Sequence, residues 1–198
     1  MLSLIPIQPK PYMPDQLDVC ADEQILLQRI GAGDSSAFEA FYKNYYPRLF
    51  RFILRMTRQP DNVEELIQET LLVVWEKPDG FNHESKISTW VFGIAYNKAL
   101  KSIAKNARRS NDVDIDELAD SIGDKNANPA KSREDQDWLG AALAILPADQ
   151  RAVIELTFYH GLSYQDVAKI LDCPENTVKT RMFNARKKLQ AFADTQEQ

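Results

Sequence analysis

Three features of the sequence predict an all-α fold in two small domains. Apolar residues recur at helical spacing nearly throughout, no run alternates apolar with polar as a half-buried strand would, and a polar, acid-rich stretch divides the apolar blocks. A chain of 198 residues holds one ordinary domain or two small helical ones, and the dividing stretch favours two. The expected layout is a flexible tail over residues 1–21, a helical domain over 22–109, a flexible acidic linker over 110–133 and a second helical domain over 134–194.

The amino-terminal segment carries Pro6, Pro9, Pro11 and Pro14 and lacks a basic start followed by an apolar core, so it does not read as a secretory signal. No apolar run approaches the roughly 18 residues of a membrane span, so a soluble protein without membrane insertion is expected. Cys20 and Cys173 sit in no CxxC or Cys/His cluster, which points away from a disulfide framework and a zinc site and fits a reducing cytoplasm. No metal and no cofactor is expected.

The net charge of -5 taken alone argues against a nucleic-acid binder, but charge here is segregated by segment. Lys98, Lys101, Lys105, Arg108 and Arg109 form one basic run, and Lys179, Arg181, Arg186, Lys187 and Lys188 another. Acids concentrate elsewhere, notably between Asp112 and Glu117. That linker reads either as a solvated connector or as a mimic of nucleic acid inside a basic channel.

The first domain should hold about four helical segments, punctuated by Gly31/Gly33, Pro60 and the Pro78-Asp79-Gly80 turn. Asp61 with Glu64 forms a capping-box-like start, predicting a helix from about Asn62 to Lys77. Helical phase puts Val63, Leu66, Ile67, Thr70, Leu71 and Val74 toward the core. The opposite side carries Glu65, Gln68, Glu69 and Glu76 around Leu72. A solvated face accounts for the acids alone, whereas Leu72 among them favours a docking surface for a basic partner.

Ser85 or Ser88 is expected to cap the next helix, which runs through Trp90 to about Arg109. One side carries Phe92, Ala95, Tyr96, Ala99 and Ile103, and another Trp90, Asn97, Lys101, Lys105 and Arg108. Cations at successive turns can track a phosphate backbone, and Asn97 with nearby aromatics can receive unstacked bases.

In the second domain Ser163 and Asp166 form another capping box, and Asp172-Cys173-Pro174 should break that helix. A new helix begins near Glu175, with Val178, Met182, Ala185 and Leu189 inward and Asn176, Lys179, Thr180, Phe183 and Lys187 outward. This is a helix-turn-helix pattern. Its outward residues suit a major groove: Lys179 for guanine or phosphate, Asn176 for adenine, Phe183 for a thymine methyl, Thr180 for either base edge, with Arg181 and Arg186 on flanking phosphates.

With these residues in hand, the chain resembles the sigma-70 family of bacterial transcription-initiation factors, in its small two-domain extracytoplasmic-function group. Asp61–Trp75 looks like the polymerase-docking region 2.2, Ser88–Asn97 resembles regions 2.3 and 2.4, and Leu162–Ala168 with Cys173–Arg181 resembles region 4.2. The resemblance implies that Glu65, Gln68, Glu69 and Leu72 dock on core RNA polymerase, whose beta-prime coiled coil and beta flap are the expected contacts. It implies that Phe81, Asn82, Ser88, Trp90, Asn97, Lys98, Lys101, Lys105 and Arg108 engage the melted -10 element of promoter DNA. Asn176, Thr177, Lys179, Thr180, Arg181, Phe183, Asn184, Arg186 and Lys187 are then placed at the -35 element. Asn184 stands where some relatives carry arginine, and Lys101 and Ala104 replace an Asp-x-x-Arg pair of many members. Control by an anti-sigma factor and a stress or envelope-signal regulon are implied too.

Two other classes compete. A conventional helix-turn-helix regulator with an amino-terminal interaction domain leaves the acidic strip without a purpose. A metal-dependent hydrolase using Glu64, Glu65 and Glu69 lacks ligands converging from elsewhere. The expectation is a non-enzymatic factor.

Overall fold

The computed structural model describes residues 16–111 and 140–196. The expectations for residues 1–15 and for 112–139, most of the linker among them, lie outside the described residues. Within these bounds every regular element is helical.

Helix α1 spans Gln16–Gly31, so the backbone is already helical inside the stretch assigned to the tail, one residue after the last of its prolines is cleared. The turn after α1 puts Gly33 at φ 82, a left-handed conformation that favours glycine. Asp34 then caps α2, Ser35–Thr57, by accepting from the amides of Ser36 at 2.9 Å and Ala37 at 3.2 Å. The Ser36 hydroxyl, Arg29 and the Ala37 amide hold the Asp34 carboxyl well below the usual carboxylate range. Phe41, Tyr45, Leu49, Phe52, Ile53 and Met56 recur at helical spacing along α2 and are all buried.

A 3-10 turn, Pro60–Asn62, leads into α3, Val63–Glu76. The expected capping box does not form. Asn62 occupies the cap position without a side-chain cap bond, and the Glu64 carboxylate instead accepts from the Tyr46 hydroxyl of α2. A tertiary partner thus outcompetes the local one. The expected core face of α3 is buried in full, with Thr70 donating its hydroxyl to the Leu66 carbonyl at 2.7 Å.

A second 3-10 turn, Pro78–Gly80, precedes α4, Ile87–Asn111. This start corrects both proposed caps: Ser88 lies inside the first turn and is buried, and Ser85 donates its hydroxyl to the Lys86 carbonyl. The helix also takes in Ser110 and Asn111, expected to open the linker. Helices α2, α3 and α4 pack pairwise, with α1 laid across α2. Phe52 meets Phe92 edge-on at 5.3 Å in the middle of this bundle.

The second domain holds a helical stretch over 140–144, α5 (Ala148–Ile154), a π-helical turn (Glu155–Tyr159), α6 (Tyr164–Ile170) and α7 (Glu175–Gln196). Ser163 caps α6 as expected, its hydroxyl accepting from the Asp166 amide at 3.1 Å, while the Asp166 carboxylate accepts from that hydroxyl at 2.6 Å and not from the Ser163 amide as a full box would. Asp172, at φ 47, supplies the left-handed residue of the turn between α6 and α7. Val167, Ile170, Val178, Met182 and Ala185 form the corner's core with Ala152, Val153 and Leu156. The two cores are not separate, since one continuous buried cluster runs through both domains.

Candidate polymerase and nucleic-acid interfaces

The outer face of α3 is open. Glu65, Gln68 and Glu76 are exposed around Leu72, which is itself 50% accessible. Glu69 is half-buried because Lys98 of α4 donates to it at 2.7 Å. The docking strip and the basic stripe therefore meet across a groove floored by Leu66 and bordered by Lys101 and Lys105. Lys98 belongs to that pair, which separates it from the outward cations.

Along α4, Asn97, Lys101, Lys105 and Arg108 are exposed, successive turns of one accessible stripe. Two residues expected at the -10 strand are not accessible. Phe81 is 2% exposed, packed beside Trp90 at 5.8 Å and His83 at 4.7 Å, and Ser88 is buried with it. Both shape the site from beneath. Trp90 is half-buried on top of Phe81. Asn82 is exposed and folds its loop through two bonds with Glu84, donating to the carboxylate at 2.9 Å and accepting from the amide at 3.1 Å. A cleft of about 650 Å³ lies here, with Asn82, Trp90 and Asn97 on one wall. Its other wall comes from the second domain: Lys169, Ile170 and Asp172.

On α7, Asn176, Thr180, Phe183 and Lys187 share one exposed face, and Phe183 is 68% accessible. It is the most exposed large apolar side chain among the described residues. Lys179 and Asn184 flank that face, Lys179 held at 2.8 Å by Glu175. Arg186 is exposed with its guanidinium 5.5 Å over the Phe158 ring. Arg181 departs from expectation. It turns inward, with Nε 2.9 Å from the Asp149 carboxylate of α5 and a bond to the Cys173 sulfur, so it braces the motif instead of reaching phosphate. Thr177 is half-buried at the turn.

Sequence reasoning missed a further set of residues, those joining the domains. Arg151 donates to the Met56 carbonyl of α2 at 2.8 Å and to the Arg55 carbonyl at 3.4 Å. Arg55 in turn pairs with Glu155 at 3.1 Å and stacks 4.0 Å over Tyr159. Burial pushes the Glu155 carboxyl up to about 6, against the opposing pull of Arg55. His160 lies 4.4 Å from the Phe92 ring and 5.9 Å from the Phe52 ring, its Nε2 buried without a hydrogen-bond partner. Burial, with Arg48, Arg51 and Arg55 nearby, pulls it down to about 3. An isolated Arg in one block and Glu in another carry no periodic signal, so only the fold reveals them.

Among the described residues no group of three or more His, Cys, Asp or Glu is placed to hold a metal ion, and no helix is long and apolar enough to cross a membrane.

Family models of sigma-70 region 2 and sigma-70 region 4 match residues 41–109 and 136–189. The ECF RNA polymerase sigma-E factor of Escherichia coli K12 is 31% identical over 173 residues, covering 83% of this chain and 90% of its own. The chain belongs to the sigma-70 family, in its extracytoplasmic-function group. The sigma-E factor of Haemophilus influenzae is 30% identical over 179 residues, 85% of this chain and 93% of its own. Among solved structures, the sigma factor RpoE of Bartonella quintana, bound to the anti-sigma factor NepR, is 31% identical, covers 79% of this chain and 96% of its own, and superposes with a TM-score of 0.64. CnrH, bound to the cytosolic domain of CnrY, shares the fold at 21% identity over 88% of this chain and 98% of its own, with a TM-score of 0.67.

Proposed function

We propose that this sigma factor grips core RNA polymerase through the outer face of α3, loads the melted -10 strand on α4 and its preceding loop, and reads the -35 element with α7. The observation that carries the reading is α3 itself, a helix buried on one side that offers Glu65, Gln68 and Leu72 to a partner on the other. Mixed carboxylate and apolar surface fits a basic coiled coil with apolar patches, the chemistry expected of the beta-prime contact. Residues 22–109 and 134–194 act as the two working domains.

The chain performs no covalent chemistry in this scheme. Base stacking contributes about 1–3 kcal/mol per base and phosphate pairing adds to it, enough to hold one or two unstacked bases but not to melt a duplex unaided. Polymerase supplies the rest. Action in the cytoplasm follows from that partner. Control by an anti-sigma factor is part of the proposal, supported by the relative RpoE having been solved with NepR.

Core-polymerase association and run-off transcription test it. Glu65 is the cleaner probe than Glu69, because Lys98 already holds Glu69. Glu65→Lys is expected to weaken polymerase association at least tenfold while leaving duplex -35 binding intact. Unchanged association, or a wild-type chain that binds DNA yet supports no transcription with core polymerase, overturns the reading.

A further inference from the structure

A groove of about 540 Å³ runs along the last two turns of α2, away from the docking and DNA faces described above. Leu54 lines it from α2, and Leu143 and Ala144 from the helical stretch over 140–144. Arg51, Arg55 and Arg58 stand beside this apolar lining, seven residues and about 10 Å of helical rise from first to last.

Cations here outnumber the acids that face them. Arg55 is taken by Glu155. Arg51 and Arg58 are exposed, and among the described residues neither forms an ion pair; Arg51 donates its Nε to the Pro47 carbonyl at 3.1 Å. Arg151 registers the surplus, since burial first and then Arg58 pull it below an ordinary arginine. An apolar groove with unbalanced cations along it fits an amphipathic acidic segment.

The chain carries such a segment. From Asp112 to Asp124 there are six acids and no base. Ile115, Leu118, Ala119 and Ile122 follow i, i+3, i+4 and i+7 spacing, one face of a helical repeat. That face spans seven residues, the same interval as Arg51 to Arg58. Both points of attachment lie at the groove. Asn106, in the last turns of α4, bonds to Gln59, the neighbour of Arg58 and of Pro60, which also lines the groove. Gly140, where the described chain resumes, is part of the lining itself. Attachment of this kind presents a segment at an effective concentration of about a millimolar, so a modest fit is enough to fill the site. A second copy of the chain has no such advantage.

We propose that Asp112–Ile122 docks in this groove of its own chain, with Ile115, Leu118 and Ile122 on Leu54 and Leu143 and the carboxylates on Arg51 and Arg58. Any partner that takes up the acidic linker then displaces those two arginines.

The test uses the full chain carrying Arg58→Lys, which keeps the charge and supplies an amine, treated with a zero-length carbodiimide. Trypsin cuts after Arg109 and Lys125, so residues 110–125 leave as one peptide. Mass spectrometry of the monomer band is expected to find an amide joining position 58 to a carboxylate of that peptide. No such product, the product in a dimer band alone, or coupling only to Glu134, Asp135 or Asp137 overturns the proposal. Proteolysis gives an independent arm. Glu117 is the only glutamate in residues 110–133, so a glutamate-specific protease cuts the segment at one place. Arg51→Gln combined with Arg58→Gln, at two exposed positions, is expected to speed cleavage at Glu117 at least fivefold. An unchanged rate refutes the docking. Neither arm contains polymerase or promoter DNA, so this inference and the assigned function fail separately.

Discussion

Replacing Arg151 by methionine removes a guanidinium that holds four backbone carbonyls while keeping most of the apolar stem. Its Nε donates to Leu143 O at 3.0 Å, one Nη to Met56 O at 2.8 Å and more distantly to Arg55 O at 3.4 Å, and the other Nη to Leu146 O at 2.9 Å. The three short bonds, at about 1 kcal/mol net each, put the loss near ~3 kcal/mol. The stranded carbonyls raise that figure, and relief of the buried charge lowers it. Burial first, then Arg58, pulls Arg151 below an ordinary arginine, so the desolvation is real. With a urea slope of about 2 kcal/mol per M, the unfolding midpoint falls by ~1.5 M. Chemical denaturation followed by far-ultraviolet circular dichroism measures it. Arg151→Lys keeps the charge but has a single donor atom that cannot fork between the two domains, and should recover less than half. A shift below about 0.5 kcal/mol for Arg151→Met would refute the claim that this side chain ties the domains together.

Two further outcomes concern the exposed stripe of α4 and the contacts between the domains. Lys101→Ala and Lys105→Ala, tested separately by fluorescence anisotropy of holoenzyme on single-stranded DNA between 50 and 200 mM salt, should each reduce the slope of log affinity against log salt by about 0.7; an unaltered slope shows that the exposed stripe does not meet phosphate. Acid should act on the domain interface in two steps. His160 is depressed to about 3, so an open chain takes up its proton below about 6.5 and the closed state weakens as pH falls. Glu155 is raised to about 6, so the closed state takes up a proton first and strengthens as pH falls from there toward 4.5. The two slopes oppose between about 6 and 4.5, leaving closure nearly flat there and loosening below. In His160→Phe only the Glu155 slope remains, and the radius of gyration should shrink or hold as pH falls from 6 to 4.5; expansion in that window contradicts the assignment.

How far the sequence disclosed this molecule depended on whether the relevant partner was local. The core face of α3, the Ser163 cap and the outward set Asn176, Lys179, Thr180, Phe183 and Lys187 follow from helical phase and three-residue spacing, and all stand in the fold. The box at Asp61 did not form, because Tyr46 lies 18 residues from Glu64 in sequence and claims its carboxylate. Arg181 shares the basic character of its neighbours, yet Asp149, on a different helix, draws it inward. Phe81 reads like a free aromatic beside a loop until Trp90 is placed on it. Composition gives an arginine no direction.

The interdomain contacts carry this to its limit. Arg55 and Glu155 are 100 residues apart, and neither position breaks a pattern that would draw notice. What makes them informative is burial: a carboxylate with no exposure survives in a folded protein when something balances it. That balance comes from the other domain, so separating the domains parts Arg55 from Glu155 and returns both charges to water. The same packing leaves the outer face of α3, with Glu65, Gln68 and Leu72, accessible.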